Sequence, residues 1–111
     1  MIFATDLDNT MIFSHRSITG NKNMFHCVER YQGREITYMT DSAIQKLKFL
    51  MNNIFVIPAT TRSLAQFNRV QLFQNTKYAI IDNGGMILHN GMVDPNWDNH
   101  VNTILNQYDF E

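Results

Sequence analysis

Cysteine is nearly absent from this sequence, since Cys27 is the single one among 111 residues. One cysteine cannot form a disulfide within the chain, which excludes a disulfide-stapled secreted fold and favours a reducing, cytoplasmic location. Long apolar runs are also missing. The sequence therefore has no candidate membrane span, and we expect no membrane partner.

An excess of charge of one sign is lacking as well. Nine Lys and Arg against ten Asp and Glu give a formal net charge of -1, and the basic residues are scattered along the chain. A nucleic-acid surface would need a clustered basic patch, so we expect no nucleic-acid partner. A hydrophobic fraction of 44% is ordinary for a globular protein, and the length allows one domain at most.

The apolar pattern predicts strands and helices in alternation. Strands are expected over 1–5, 54–59 and 78–82, hairpins over 24–39 and 86–93, and helices from Thr40 or Asp41 to 52, after Ser63 and over 96–107. Such alternation predicts an α/β fold with parallel strands and right-handed crossovers. The unbroken apolar character of residues 1–5 favours a central strand that is buried on both faces.

The first predicted hairpin is centred on Gln32 and Gly33, and it follows a polar segment, 13–23, that we expect to be irregular. If these two residues form the turn, Arg30 lies opposite Glu35 on the neighbouring strand and forms a pair of opposite charges. Gln-Gly is a weaker turn signal than Asn-Gly, so an irregular loop is the alternative.

Two carboxylates and a hydroxyl occupy alternate positions directly after the first strand, in the sequence Asp6-Leu7-Asp8-Asn9-Thr10. Side chains two residues apart on an extended chain point to the same side, and two neighbouring carboxylates repel unless a cation or proton joins them. Mg²⁺ is the expected cation, because one or two carboxylates and substrate phosphate oxygens usually hold it. The alternative is that both residues only cap a turn.

An apolar strand followed by Asp-x-Asp-x-Thr resembles the first motif of the haloacid dehalogenase superfamily of aspartate-nucleophile phosphatases. The resemblance implies that Asp6 is the nucleophile that forms an aspartyl-phosphate, and that Asp8 is the general acid and base. It also implies that the Asp6 carboxylate and the Asp8 backbone carbonyl hold Mg²⁺, and that Thr10 positions Asp8 and belongs to the phosphate-binding residues.

A second cluster, Thr60-Thr61-Arg62-Ser63, ends the second predicted strand directly before a helix. A helix start offers unpaired N–H groups to an anion. The cluster resembles the second motif of the same superfamily, in its sugar-phosphatase-like branch, and this implies that Thr60 binds the phosphoryl group. Thr61, which stands where that branch commonly has glycine, is a further candidate for binding phosphate. Arg62 is a candidate for binding phosphate or the leaving group, or for pairing with an acidic neighbour.

After the third strand, Asn83-Gly84-Gly85 resembles the Asn-Gly step of that same branch, which makes Asn83 a candidate phosphate-binding residue; a simple tight turn is the alternative. The superfamily's lysine and acidic motifs find no match. Lys77 precedes the third strand and so lies at its wrong end, and we interpret Asp94 and Asp98 as turn and helix-capping residues.

The resemblance therefore implies an incomplete three-layer, Rossmann-like parallel sheet with a hairpin flap over about 13–40. We expect residues 1–111 to be the N-terminal portion of the core domain, without its cap and C-terminal half, and inactive alone. The first strand would then be an exposed apolar edge that favours self-association.

The expected activity is magnesium-dependent hydrolysis of a small phosphorylated metabolite, with sugar phosphates among the candidates. A noncatalytic module that binds phosphate or a protein is the alternative. A phosphoacceptor receiver domain is disfavoured, because its acceptor should end the third strand, where this chain has Asp82 followed by Asn83.

Overall fold

The structure, a computed structural model, describes residues 1–18 and 24–108 of the chain as a mixed α/β fold of short strands and helices. The strands are β1 (Ile2–Thr5), β2 (Phe13–Ser14), β3 (Phe25–Tyr31), β4 (Arg34–Thr40), β5 (Phe55–Pro58), β6 (Tyr78–Ile81), β7 (Met86–His89) and β8 (Met92–Val93). The helices are α1 (Asp41–Asn53), α2 (Leu64–Phe67) and α3 (Pro95–Gln107). No helix within the described ranges has the length and apolar character needed to cross a membrane.

Strands β1 and β5 pair in parallel, and they bring two of the predicted motifs to the same edge. The pairs run from Ile2 opposite Phe55 to Thr5 opposite Pro58. A parallel bridge between Ala59 and Ile80 then connects the end of β5 to β6, which pairs antiparallel with β7, as β7 does with β8. The carboxyl ends of β1, β5 and β6 consequently lie side by side.

The expectation that the first strand is buried on both faces is wrong. Ile2 is 65% exposed and Phe3 is 40% exposed, and among the described residues β1 pairs with β5 alone. An apolar run signals burial only where other elements cover it, and no described strand lies on the far side of β1. The strand is thus an edge strand with apolar side chains in contact with solvent, which agrees with the exposed apolar edge expected for residues 1–111.

The predicted hairpin after the first motif is confirmed as β3 and β4. Its turn uses Gln32 and Gly33 with φ values of 51° and 77°, as a two-residue hairpin with both central residues left-handed requires. Arg30 lies opposite Glu35, with Nη2 to Oε1 at 3.7 Å. Residues 13–14 add strand β2 to the other edge of β4, although they were expected to be irregular. The part of that expectation over residues 19–23 falls outside the described residues.

The helix starts follow the predicted caps. Thr40 accepts a hydrogen bond from the Ala43 N–H at the start of α1, and Asp94 accepts one from the Trp97 N–H at the start of α3. Ser63 and Gln66 form a capping box at α2, but this helix lasts only to Phe67. The core combines side chains from most elements: Leu7, Ile12, Met39, Leu47, Val56, Phe67, Val70, Phe73, Ala79, Ile81 and Leu88.

Candidate active site

The loop after β1 is anchored in the core by the residue that lies between its two aspartates. Leu7 lies between Asp6 and Asp8 in sequence and is fully buried, as is Ile12. The Leu7 carbonyl accepts hydrogen bonds from the N–H groups of residues 10–12, at 2.9–3.2 Å. This tight turn fixes the backbone, so the positions from which the two aspartates emerge are defined by the fold.

Asp6 directly follows β1 and is exposed to solvent. Its Oδ1 accepts a hydrogen bond from the Leu7 N–H at 2.9 Å, and Oδ2 lies 3.5 Å from the Thr10 hydroxyl, a long contact. We expected Thr10 to position Asp8, but its hydroxyl contacts Asp6 instead. The Asp6 carboxylate therefore keeps an accessible oxygen with only a weak protein contact.

Four of the predicted site residues line one cleft at the carboxyl ends of β1, β5 and β6. The cleft has a volume of about 390 Å³ and is lined by Asp6, Ala59, Thr60, Thr61, Ile80, Asn83 and Gly84. It brings the expected nucleophile together with the expected phosphate-binding residues, which come from three separate parts of the sequence.

Backbone hydrogen bonds join the loop after β5 to the loop after β6. The Thr60 N–H donates to the Ile80 carbonyl at 2.9 Å, and the Asn83 N–H donates to the Thr60 carbonyl at 3.1 Å. The Asp82 N–H donates to the Arg62 carbonyl at 2.7 Å. Asn83 has a left-handed φ of 53°, which asparagine tolerates better than most residues. These bonds hold Asn83 beside Thr60 without any side-chain contact.

The Thr60 hydroxyl is almost buried, and its oxygen accepts a hydrogen bond from the protein backbone. Its oxygen accepts a hydrogen bond from the Arg62 N–H at 3.1 Å, and Thr60 is 6% exposed. A hydroxyl that accepts in this way still has its own proton to donate. Thr60 can therefore act as a hydrogen-bond donor toward an anion in the cleft.

Asp8 and Arg62 form a two-point ion pair across 54 positions of sequence. Arg62 Nε donates to Asp8 Oδ2 and Arg62 Nη2 donates to Asp8 Oδ1, each at 2.9 Å. The hydrogen bond from Arg62 lowers the pKa of Asp8, with the burial of the carboxyl opposing this and the guanidinium charge adding to it. The carboxylate oxygens of Asp8 are thus both engaged by the protein.

The other side of Arg62 binds Glu29, which comes from strand β3. Arg62 Nη1 donates to Glu29 Oε2 at 2.9 Å and to the Gln66 carbonyl at 3.1 Å, while Arg62 Nη2 donates to Glu29 Oε1 at 3.0 Å. The Thr37 hydroxyl also donates to Glu29 Oε1, at 3.0 Å. Burial alone would raise the pKa of Glu29, but the hydrogen bonds and charge of Arg62, with Thr37, hold it below its ordinary value.

Arg62 has no N–H group left for a ligand in this structure. The five N–H donors of the guanidinium all have protein acceptors, which are the Gln66 carbonyl and the two carboxylates. Of the roles that the sequence left open for Arg62, the structure shows the pairing with an acidic neighbour. Contact with phosphate or a leaving group stays a prediction and would require one of these bonds to exchange.

Glu29 and its second cationic neighbour, Arg69, were missed by the sequence analysis. Arg69 Nε lies 2.9 Å from Glu29 Oε2, without the alignment of a hydrogen bond, and its guanidinium lies 4.5 Å from the centre of the Tyr31 ring. A glutamate in a hairpin strand is ordinarily a solvent-facing residue. The available signal was Arg62, because an arginine inside a motif at the end of a buried strand needs carboxylate partners.

The donors near Asp6 fit a magnesium ion that is held mainly by substrate and water. Asp6 offers an exposed carboxylate oxygen, whereas the Asp8 carboxylate is bound to Arg62 and leaves only its backbone carbonyl. Within residues 1–18 and 24–108, no group of three His, Cys, Asp or Glu side chains is arranged to hold a metal. One or two protein oxygens with phosphate oxygens and water are a usual magnesium environment.

No family model matches this sequence, and a search of curated proteins finds no significant match. The resemblance to the haloacid dehalogenase superfamily therefore depends on the two motifs and on Asn83. The structure places residues from all three in one cleft.

Proposed function

We propose that this chain carries the nucleophile-bearing part of a magnesium-dependent phosphomonoester hydrolase of the haloacid dehalogenase type. The observation that carries the proposal is the shared cleft, in which Asp6 faces the same space as Thr60, Thr61 and Asn83. A nucleophilic carboxylate beside hydroxyl and amide groups, at the carboxyl edge of parallel strands, is suited to bind and accept a phosphoryl group.

In the first step, an accessible oxygen of the Asp6 carboxylate attacks phosphorus. A bond forms between that oxygen and phosphorus, and the bond from phosphorus to the alcohol oxygen of the substrate breaks. The Leu7 N–H binds Oδ1 of Asp6 at 2.9 Å, which fixes the carboxylate plane and leaves Oδ2 as the less engaged oxygen. We infer that Oδ2 is the attacking atom.

Asp8 moves the protons. It donates a proton to the leaving alcohol oxygen in the first step, and it removes a proton from water in the second, when water displaces Asp6 from phosphorus and inorganic phosphate is released. The ion pair with Arg62 favours the charged form of Asp8, which is the form that activates water.

Thr60 and Asn83 hold the transferring group. The Thr60 hydroxyl donates its free proton to a phosphoryl oxygen, and the Asn83 side-chain amide offers a second donor from the adjacent loop. The Asp6 carboxylate and the Asp8 carbonyl would hold Mg²⁺, which would supply positive charge to offset the negative charge of the phosphate. Small phosphorylated metabolites, sugar phosphates among them, are the substrate class that we propose.

The wider assignments belong to the same proposal. We infer a Rossmann-like core of the sugar-phosphatase-like branch, with β3 and β4 as the flap beside the active site, and a cytoplasmic location in line with the single cysteine. The strand order β1, β5, β6 supports the core, because the three motif-bearing strands are neighbours whose carboxyl ends meet.

The test is the Asp6→Asn variant of the full-length protein, assayed with Mg²⁺ against a panel of phosphomonoesters. The swap is nearly isosteric and removes the nucleophile, so turnover should be lost while the circular dichroism spectrum is unchanged. Asp94→Asn is the matched control, since Asn caps a helix about as well as Asp and Asp94 caps α3. Equal activity in both variants would refute the proposal.

A second candidate, a noncatalytic phosphate-binding module, is favoured by one observation. Both oxygens of Asp8 accept hydrogen bonds from Arg62, which favours the charged carboxylate over the protonated form that a leaving group needs. The two candidates differ in a single experiment. Inorganic phosphate would bind in the cleft in either case, but only the hydrolase attaches beryllium fluoride to Asp6 in the presence of Mg²⁺ and turns over substrate.

A further inference from the structure

Glu29 is a buried carboxylate in a place where an apolar side chain would be less costly. The residue is 1% exposed, and its side chain accepts hydrogen bonds from Thr37 and twice from Arg62, with Arg69 Nε at 2.9 Å. A buried ion pair often stabilises a fold no more than well-packed apolar residues of similar volume would. What Glu29 does provide is a defined arrangement of the groups that it binds.

The rigid, planar guanidinium of Arg62 connects the groups in this arrangement. One edge of the guanidinium, Nη1 and Nη2, binds both oxygens of Glu29, and the adjoining edge, Nε and Nη2, binds both oxygens of Asp8. A guanidinium is planar and presents its donors in a fixed fork. Fixing one edge against Glu29 therefore fixes the direction of the donors that meet Asp8.

The pairing register of the hairpin is irregular at Glu29. The register is the same on both sides, with Arg30 opposite Glu35 and Cys27 opposite Tyr38, but between them Glu29 pairs with Thr37. Each strand thus contains one residue outside the ladder, Val28 on β3 and Ile36 on β4. Irregularities of this kind redirect side chains and are over-represented beside active sites. Here the two that are redirected together, Glu29 and Thr37, are both buried and hydrogen-bonded to each other.

We propose that Glu29 is a positioning residue for the reaction. Through Arg62 it fixes the carboxylate of Asp8, so that hairpin β3–β4 sets the orientation of the proton-transferring group. This inference depends on the proposed function, because it assigns Glu29 a role only if Asp8 transfers protons. Proton transfer needs donor and acceptor within about 2.6–3.2 Å, so loss of alignment should lower kcat and leave KM nearly unchanged.

The test compares Glu29→Gln with Glu35→Gln in the full-length protein. Glutamine keeps one acceptor oxygen and turns an N–H donor toward Arg62, whereas Glu35 lies on the same hairpin and is exposed. On an alkyl phosphate, Glu29→Gln should lower kcat by about 10- to 100-fold with KM within about two-fold. On an activated aryl phosphate, whose leaving group needs less protonation, the loss should be smaller. Glu35→Gln should match wild type on both substrates.

A thermodynamic cycle separates positioning from a merely structural role. In an Asp8→Asn background, Glu29→Gln should have no further effect on alkyl phosphate turnover, since its effect passes through Asp8. If Glu29→Gln does not fold, Thr37→Val replaces it, because this variant removes a single hydrogen bond to Glu29. We expect about a three-fold loss of kcat for Thr37→Val, again absent in the Asp8→Asn background.

The outcomes distinguish this inference from the function on which it depends. Turnover that is lost in Asp6→Asn but retained in Glu29→Gln, or an equal loss on the alkyl and aryl phosphates, would overturn the positioning role and leave the hydrolase intact. Losses that persist unchanged in the Asp8→Asn background would do the same. Undiminished turnover in Asp6→Asn, or no turnover by the wild-type protein, would overturn both.

Discussion

Replacing Arg62 by methionine would remove the cation that lies between two carboxylates. Arg62 is 8% exposed, and methionine fills much of the space of its stem without its charge. The two partners respond differently, because the Asp8 side chain is 45% exposed whereas that of Glu29 is fully buried. Asp8 can be rehydrated after the change, so the loss of stability comes mainly from Glu29.

The expected loss follows from this asymmetry. Removing one partner of a buried ion pair costs about 3–5 kcal/mol, because an unpaired charge is left behind. Glu29 would keep Thr37 and the charge of Arg69, which places Arg62→Met near the lower end, at about 3 kcal/mol. The exposed pair of Arg30 and Glu35, 3.7 Å apart, provides the control, and Arg30→Met should cost less than about 1 kcal/mol.

Urea unfolding, followed by circular dichroism, measures both variants. The m-value should stay constant while the midpoint falls, which identifies a change in stability rather than in the denatured state. The double variant Arg62→Met/Glu29→Gln should be more stable than the sum of the single losses predicts, since no buried carboxylate remains unpaired. Equal stability of Arg62→Met and Arg30→Met would show that the buried network does not exist in solution.

Three further predictions concern pH, proton transfer and assembly. Arg62 holds the pKa of Glu29 below its ordinary 4.5 in the folded protein. As the pH falls, the Glu29 carboxylate is therefore protonated in the unfolded chain before it is protonated in the folded one. Stability should therefore be full above about pH 4.5 and fall below it, and Glu29→Gln should flatten this dependence in urea titrations. Asp8→Asn should slow turnover of an alkyl phosphate more than that of an activated aryl phosphate, and equal losses would assign Asp8 a structural role. The 111-residue chain should self-associate through β1, where Ile2 is 65% exposed, and a dilution-resistant monomer in light scattering would contradict this.

Local signals in the sequence predicted the local structure well. The turn at Gln32 and Gly33, the opposed charges of Arg30 and Glu35 and the cap at Thr40 each depend on residues within a few positions of one another. These features are stabilised by contacts between residues that are close in sequence. Such contacts can form in any fold that contains the segment. The motif positions followed for the same reason, because each lies at the end of an apolar strand.

The apolar pattern alone did not predict the environment of the first strand, and its exposed edge was expected only from the resemblance to a larger core. Its apolar residues are compatible with burial on two faces, on one, or against another chain, and only the neighbouring elements decide. In the structure β5 covers one edge of β1, and Phe3 remains 40% exposed. Periodicity reports what a segment can bury, whereas the tertiary arrangement determines what it does bury.

The ion-pair network illustrates a deeper limit of sequence reasoning, and it changes how the site is understood. Arg62 joins Asp8, 54 positions away, to Glu29, 33 positions away, and the latter pairing depends on displaced residues in both strands of a hairpin. No local rule places that irregularity. Asp6 emerges into the open cleft with one weakly engaged oxygen, while Asp8 is held by hairpin β3–β4 through a guanidinium with no free donor. Two aspartates from one short motif thus have opposite environments, as an accessible nucleophile and a fixed acid–base group would require.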